Sequence, residues 1–483
     1  MWAYANNPFI NHGIGELADR LQRAEKIEEK QEMINLFITR VDGAFIANIN
    51  EELVKDQIEL FLYLARLDLG IKFMLTYYSA VQSRLGTGSE DFHLVSLAKE
   101  YQPFIKEAMT GFMLGYRYDI KENEEIGSFK LIEYSGIGRY LLTEWHEIYE
   151  KAYGHKGPAL VLLSGTSHLP GSSHYHLDIE PKWIIESNRL KSKITQQFLP
   201  KYDEQKEREI AISGTNNRAE NIRKLANNLK TDIQWELNHW KSKNEKRGVI
   251  LVVNSYEDVV HAGEVFLNDP NWKGKFRLLS KDNKSDDIWY PRSLIEQFSE
   301  TGAEVLIAPL LAVGRGYNIL NEQKQALFGS CFFLVRPYPI PNDMTFIIQS
   351  LHSSLQYYYS KLEEEGLTYA CGLKRLRNLS RSRFELMYQK PDFWSILTEQ
   401  EKKILSWYIF VPVWQMIGRL LRGGKDAHIF YCDVKFHDKN RKGLSLLEYW
   451  QKLMQENKEQ PVFKSLYEPF IESIQDAIQE DSF

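Results

Sequence analysis

The residues Trp414-Gln415-Met416-Ile417-Gly418-Arg419-Leu420-Leu421-Arg422 carry a Gln-x-x-Gly-Arg-x-x-Arg spacing. At about 100° per residue, a helix gathers Gln415, Gly418, Arg419 and Arg422 on one side and Trp414, Met416, Ile417, Leu420 and Leu421 on the other. A guanidinium is planar and permanently charged, and it meets phosphoryl oxygens with two parallel donors. Two such groups fixed on one face suit charge that develops on a phosphate during transfer, because preset donors need no solvent reorganisation. An amphipathic surface helix with solvated arginines is the other reading of the same residues. Pro412 as a first-turn proline and Gly423-Gly424 as a left-handed cap predict helix ends around Val413 to Leu421.

A helix that presents two cations needs a support, and the flanking sequence offers candidate strands. Short β-branched and aliphatic runs occur at Ala159 to Leu163, Trp183 to Glu186, Val249 to Asn254, Phe276 to Leu279, Val305 to Ala308, Cys331 to Val335 and His428 to Cys432. Helical spacing lies between them at Arg218 to Trp240, Glu257 to Leu267 and Arg292 to Ser299. Strands and helices in alternation predict an α/β fold, a largely parallel sheet with helices on its faces. Ligands of such sheets collect at loops leaving the carboxyl ends of strands. Three loops qualify. Leu162-Leu163-Ser164-Gly165-Thr166-Ser167 puts small hydroxyl residues after an aliphatic run. Val252-Val253-Asn254-Ser255-Tyr256-Glu257 offers Ser255 as a helix cap or as a contact to a backbone phosphate. Ile307-Ala308-Pro309 leads to Val313-Gly314-Arg315-Gly316-Tyr317-Asn318, where glycines beside an arginine let backbone approach a ligand closely. Each loop by itself also reads as an ordinary turn or cap.

Residues 1–156 show apolar steps of three and four, as at Leu17, Leu21, Ala24 and Ile27, and read as a helical region without nameable chemistry. The sheet domain is expected over 157–343 and 409–442, with a helical insertion at 344–408 and a helical tail at 443–483 packed on the sheet. Lys+Arg number 60 against 65 Asp+Glu, a net charge of −5, so nucleic acid would have to be held by a local stripe or cleft. Apolar residues at 43% and charged residues at 26% are those of a soluble globular protein, and no apolar run nears the ~20 residues that span a bilayer. A membrane role is therefore not expected. Three scattered cysteines, Cys331, Cys371 and Cys432, argue for a reducing, cytoplasmic compartment and are too few for an ordinary iron-sulfur cluster.

Taken together and in this order, the three loops and the Gln415 to Arg422 helix resemble motifs III, IV, V and VI of superfamily 2 helicases over Leu160 to Asp433. The resemblance is specific at the arginine helix, looser at Gly314 to Asn318 and loosest at Asn254 to Glu257. It implies the second of two RecA-like lobes, with ATP and Mg2+ bound between them. By resemblance, Arg419 and Arg422 would face the γ-phosphate with Gln415 nearby. Gly314, Arg315, Gly316 and Asn318 would couple nucleotide to nucleic acid, and Ser164 and Thr166 would relay ATP state between lobes. Asn254 and Ser255 would contact DNA or RNA. Many members have aspartate where this chain has Asn318. No Gly-x-x-x-x-Gly-Lys-Ser/Thr phosphate loop occurs, and the sole Asp-Glu pair, Asp203-Glu204, lies in a charged run rather than after an apolar strand. Half of an ATP site is thus expected, completed by a partner chain or upstream segment carrying the phosphate-loop lobe. The helical region before motif III then resembles the insertion of the DNA-repair type. A non-catalytic scaffold with a helicase fold, binding nucleic acid or proteins, and a reading frame cut short are the alternatives.

Two further clusters stand out. His168, His174 and His176 with Asp178 share one loop but lack a zinc spacing, and no metal is expected there. The run Lys374, Arg375, Arg377, Arg381 and Arg383 lies in the expected insertion, where it either tracks a phosphate backbone or forms a solvated helix face.

Overall fold

The computed structural model describes residues 8–40, parts of 55–77, 113–119, 128–134, parts of 146–150, 154–185 except 178, 192–339 except 282, 283 and 315, parts of 346–382, residue 394, 397–439 and 443–479. The chain forms two compact units, 1–160 with 347–390 and 161–346 with 391–483.

In the first unit, helices α1 (Pro8–Arg23) and α2 (Ile27–Arg40) bury Leu17, Ala18, Leu21, Met33 and Ile34 together with Ile58, Phe61 and Leu62. The helical expectation for this region is only partly met. Strands β1 (Met113–Asp119) and β2 (Ser128–Tyr134) pair as an antiparallel hairpin. Their alternating aromatic and aliphatic residues follow a period of two, which a search for three- and four-residue steps passes over.

The second unit is an α/β domain. Its strands are β3 (Ile194–Phe198), a small hairpin of β4 (Tyr202–Asp203) and β5 (Arg208–Glu209), then β6 (Gly248–Val253), β7 (Phe276–Ser280), β8 (Trp289–Pro291), β9 (Val305–Pro309), β10 (Phe328–Phe333) and β11 (Ala427–Tyr431). Seven of them form a sheet ordered β3-β11-β10-β6-β9-β7-β8, and every pairing is parallel. Its helices are α3 (Arg218–Asn228), α4 (Lys230–Ser242), α5 (Tyr256–Leu267), the short α6 (Leu310–Val313), α7 (Glu399–Leu420), α8 (Leu446–Asn457) and α9 (Pro461–Ser473). This is the parallel, helix-flanked sheet expected of a RecA-like domain. No helix among the described residues is long and apolar enough to cross a membrane.

Strands β6, β9 and β10 are buried at every position, so their residues read as unbroken apolar runs rather than alternations. Alternate side chains still go to opposite cores. Ile250, Val252, Leu306, Ala308, Cys331 and Phe333 join α7, α8 and α9 on one face, while Val249, Leu251, Val253, Val305, Ile307 and Phe332 join α3, α4 and α5 on the other. Each fully buried aliphatic or aromatic side chain contributes roughly 1.5–3 kcal/mol.

Several expected elements are corrected. Ala159 to Leu163 forms no strand, with Val161 and Leu163 exposed at 69% and 84%, and described residues 183–185 are also irregular. Neither segment has a neighbouring strand among the described residues to accept its backbone bonds. The edge strand β3 escapes pattern reading because Ile-Thr-Gln-Gln-Phe is mostly polar. Its Gln196 is buried by accepting the Tyr431 hydroxyl at 2.7 Å and donating to Ser473 at 2.7 Å. The stretch Arg218 to Trp240 is two helices meeting at Leu229. The arginine helix begins at Glu399, where Thr398 and Glu401 form a capping box, so Pro412 lies inside it rather than in its first turn. A helix-interior proline costs about 3 kcal/mol, and burial of Trp407, Phe410, Val411, Val413 and Trp414 around it offsets that cost.

Helix α4 crosses the sheet at a glycine. A Cβ on Gly329 would lie 2.4 Å from Trp240 Cε2, and the Trp240 indole is itself pinned by donating to Ser330 Oγ at 2.7 Å. Gly329→Ala is expected to destabilise this unit by about 1–3 kcal/mol through overpacking. Urea titration should show a lower midpoint with an unchanged slope.

Candidate functional site

The last turns of α7 and the turn that follows it carry the side chains that the sequence singles out, with Arg422 just past the C-cap Leu421. Gln415 Nε2 donates to Thr166 Oγ1 at 3.3 Å, Arg419 Nε to the Gly314 carbonyl at 3.3 Å, and Arg422 Nη1 to the Tyr317 carbonyl at 3.4 Å. All three exceed the usual N–H···O length of about 2.9–3.0 Å, so they are weak restraints. Three of the predicted segments therefore converge: the Ser164 to Thr166 loop, the Gly314 to Asn318 loop and the arginine helix. Within the first, the Thr166 N–H donates to Ser164 Oγ at 3.2 Å. Gly316 takes a left-handed φ of 84°, which lets the second loop turn between Gly314 and Tyr317. Arg315 lies outside the described residues.

Neither arginine forms an ion pair among the described residues, their hydrogen bonds going to backbone carbonyls. Arg419 Nη1 is buried and has no hydrogen-bond partner among the described residues. Burial, with the charge of Arg422 second and Glu296 opposing, lowers the Arg419 pKa to about 10. Burial also lowers that of Arg422, again with Glu296 opposing. Both stay cationic at neutral pH. A Cβ on Gly418 would meet nothing within 4 Å, so open space adjoins the backbone between Gln415 and the arginines. Two cations whose charges act on each other, one buried donor without a partner among the described residues and open space beside Gly418 thus lie at this end of α7. An unmet buried donor costs roughly 1–3 kcal/mol, which an oxyanion would recover.

Other predicted residues join a different network. Ser255 caps α5, its Oγ accepting the Asp258 N–H at 3.1 Å, and Asn254 Nδ2 donates to the Arg336 carbonyl at 3.1 Å. Asp258 also takes both forks of Arg218, at 2.8 and 2.7 Å. Asp433, fully buried at the end of β11, accepts from the N–H groups of Ile212, Ser213, Arg336 and Lys435 and from Ser213 Oγ. The carboxyl ends of β6, β10 and β11 are thus tied to one another and not to the arginine pair. Of the basic run, Arg375 is described and pairs with Glu365 at 2.8 Å, while Lys374, Arg377, Arg381 and Arg383 lie outside the described residues. His174 Nε2 bonds the Phe346 carbonyl at 3.0 Å, His176 Nδ1 accepts the Leu169 N–H at 3.2 Å, and Asp178 is outside the described residues. Asp203 is buried against Lys224 at 3.0 Å, an ion pair rather than a magnesium site. A groove of about 920 Å³ beside it has its Arg223, Lys224 and Lys230 committed to Glu264, Asp203 and Asp269, so none of its lining cations is free of an acidic partner.

Sequence reasoning missed Arg247. Its guanidinium, 5% exposed as a residue, donates to the carbonyls of Ala326, Phe328, Leu420 and Asp426 at 2.5–3.2 Å and lies 4.6 Å from the Trp240 ring centroid. It takes the Leu420 carbonyl of the arginine helix and anchors it to the start of β10, where the Ala326 N–H donates to the Arg422 carbonyl at 3.1 Å. A Lys246-Arg247 pair directly before an apolar strand was the only sequence signal. Glu296 gave none, since its partner Asn318 is 22 residues away. Arg247→Lys keeps the charge but cannot span four carbonyls. It is expected to lower unfolding free energy by about 2–4 kcal/mol, read from denaturant midpoints.

Compared with known proteins, the chain matches no protein-family model and no curated protein sequence.

Proposed function

We propose that the chain supplies the second RecA-like lobe of a nucleic-acid-dependent ATPase of the helicase type, with Arg419 and Arg422 directed at the phosphates of a magnesium-bound ATP. The observation that carries this is Arg419, a guanidinium held by one backbone carbonyl, that of Gly314, with a buried Nη1 that has no hydrogen-bond partner among the described residues. Arg247, by comparison, donates to four carbonyls. The link from Gln415 to Thr166 supports a path by which phosphate contact at α7 is felt in a second loop. Without a phosphate loop in the sequence, the triphosphate cradle and the magnesium carboxylate come from a partner chain or segment. DNA or RNA is the proposed activator, in a reducing cytoplasmic setting.

Chemically, the arginines act when charge spreads over the transferred phosphoryl group. A guanidinium already in place stabilises that charge and is worth about 10³–10⁵ in rate where it is complete. Glycine at 418 keeps the approach to them open.

The full chain is expected to bind ATP weakly and to turn it over slowly with or without DNA or RNA. Robust turnover by the chain alone would defeat the split site. Arg419→Ala should weaken ATP binding by about tenfold or more, the worth of a charge-assisted hydrogen bond. Gly418→Ala separates folding from binding. It should raise helix stability by up to about 1 kcal/mol while reducing ATP affinity by filling the slot. Calorimetric titration with ATP, beside thermal unfolding, reads both; unchanged affinity in Arg419→Ala would refute the phosphate role.

A further inference from the structure

Downstream of β8, residues Arg292–Thr301 form a 3-10 helix that touches the Gly314 to Asn318 loop at two points. The Arg292 guanidinium lies 5.6 Å from the Tyr317 ring centroid, and Glu296 Oε1 accepts the Asn318 N–H. Arg419 and Arg422 hold the same loop through the Gly314 and Tyr317 carbonyls. The loop is therefore gripped by an acidic residue and by the two cations of the candidate site. Glu296 is also the carboxylate whose charge acts on both Arg419 and Arg422, although it pairs with neither. It is close enough to be felt and too far to neutralise them.

We propose that Glu296 is a positioning and specificity residue of the arginine pocket, a resident anion tethered to the Asn318 N–H that competes with an incoming polyphosphate for Arg419 and Arg422. Resting as it does on the phosphate site proposed above, this role has two physical consequences. A single exposed carboxylate offsets part of the field of two guanidiniums, so a singly charged anion gains little by entering. A terminal phosphoryl group with about two negative charges outcompetes it. Once the guanidiniums turn to the phosphate, the attraction that keeps Glu296 beside the loop falls, and its bond to the Asn318 N–H weakens. Occupancy of the pocket is thereby linked to the freedom of the loop.

The test titrates the full-length chain with inorganic tripolyphosphate alone, using wild type, Glu296→Gln, Glu296→Ala and Arg419→Ala, and follows amide exchange at Asn318. Glu296→Gln keeps an acceptor for the N–H but loses the charge. It should bind tripolyphosphate about three- to tenfold more tightly than wild type. The gain should shrink as added salt brings the Debye length from about 10 Å toward about 3 Å. Asn318 exchange should quicken in wild type on binding and be fast in Glu296→Ala without ligand. A purely structural glutamate would not tighten binding when replaced. If Arg419→Ala abolishes binding but Glu296→Gln binds no better than wild type, the role of Glu296 is overturned and the phosphate site stands. If no variant binds, or Arg419→Ala binds as wild type does, both fall.

Discussion

Both faces of a parallel sheet must be covered, and that requirement decides where the arginines point. Strands β6, β9 and β10 have no solvent-facing residue, so helices are needed on either side. On one side α7 commits Phe410, Val413, Trp414, Ile417 and Leu420 to the core. Gln415, Gly418 and Arg419 are left on its remaining face, and Arg422 follows in the turn just past its C-cap. Turning the helix to hide the arginines would expose several large apolar side chains at roughly 1.5–3 kcal/mol each. The orientation of the charged face follows from core packing, and the candidate site inherits its rigidity from it.

Two buried ionic groups, Asp433 and Arg247, and the half-buried Arg419 show how this fold treats charge. Asp433 gathers five donors and ties together the carboxyl ends of β6, β10 and β11 through the Ser213 and Arg336 segments. Arg247 spreads its fork over four carbonyls and joins the end of α7 to the neighbouring strands. In both, backbone groups replace water around the charge, which makes burial tolerable. Arg419 differs, with one carbonyl near Nε and nothing at Nη1. The first two are closed structural joints, whereas Arg419 keeps a donor without a partner among the described residues.

The strands of the sheet interior were legible because residues such as Val249 to Val253 and Val305 to Ala308 form unbroken aliphatic runs bounded by turn formers. Edge strands were not. In β3 the polar residues are satisfied by partners 235 and 277 positions away, at Tyr431 and Ser473, and local pattern cannot register them. The opposite error occurred at Ala159 to Leu163, whose aliphatic run reads as a strand although no strand pairs with it among the described residues. Propensity marks what a segment favours; a ladder partner decides whether a strand forms.

For the site, the spacing of Gln415, Gly418 and Arg419 by itself determined that they share one helix face, since 3.6 residues per turn is a local rule, whereas Arg422 lies in the turn past the C-cap Leu421. Short-range signals likewise announced the cap at Ser255, because its partner Asp258 is three residues on. Only the tertiary structure decided that Arg419 meets Gly314 and that Gln415 meets Thr166, contacts that span 105 and 249 residues. It alone separated Asn254 and Ser255 from the arginine group and brought Glu296 and Arg247 into its surroundings. Such contacts arise when the sheet closes and distant carbonyls and charges become neighbours, and no periodicity along the chain records them.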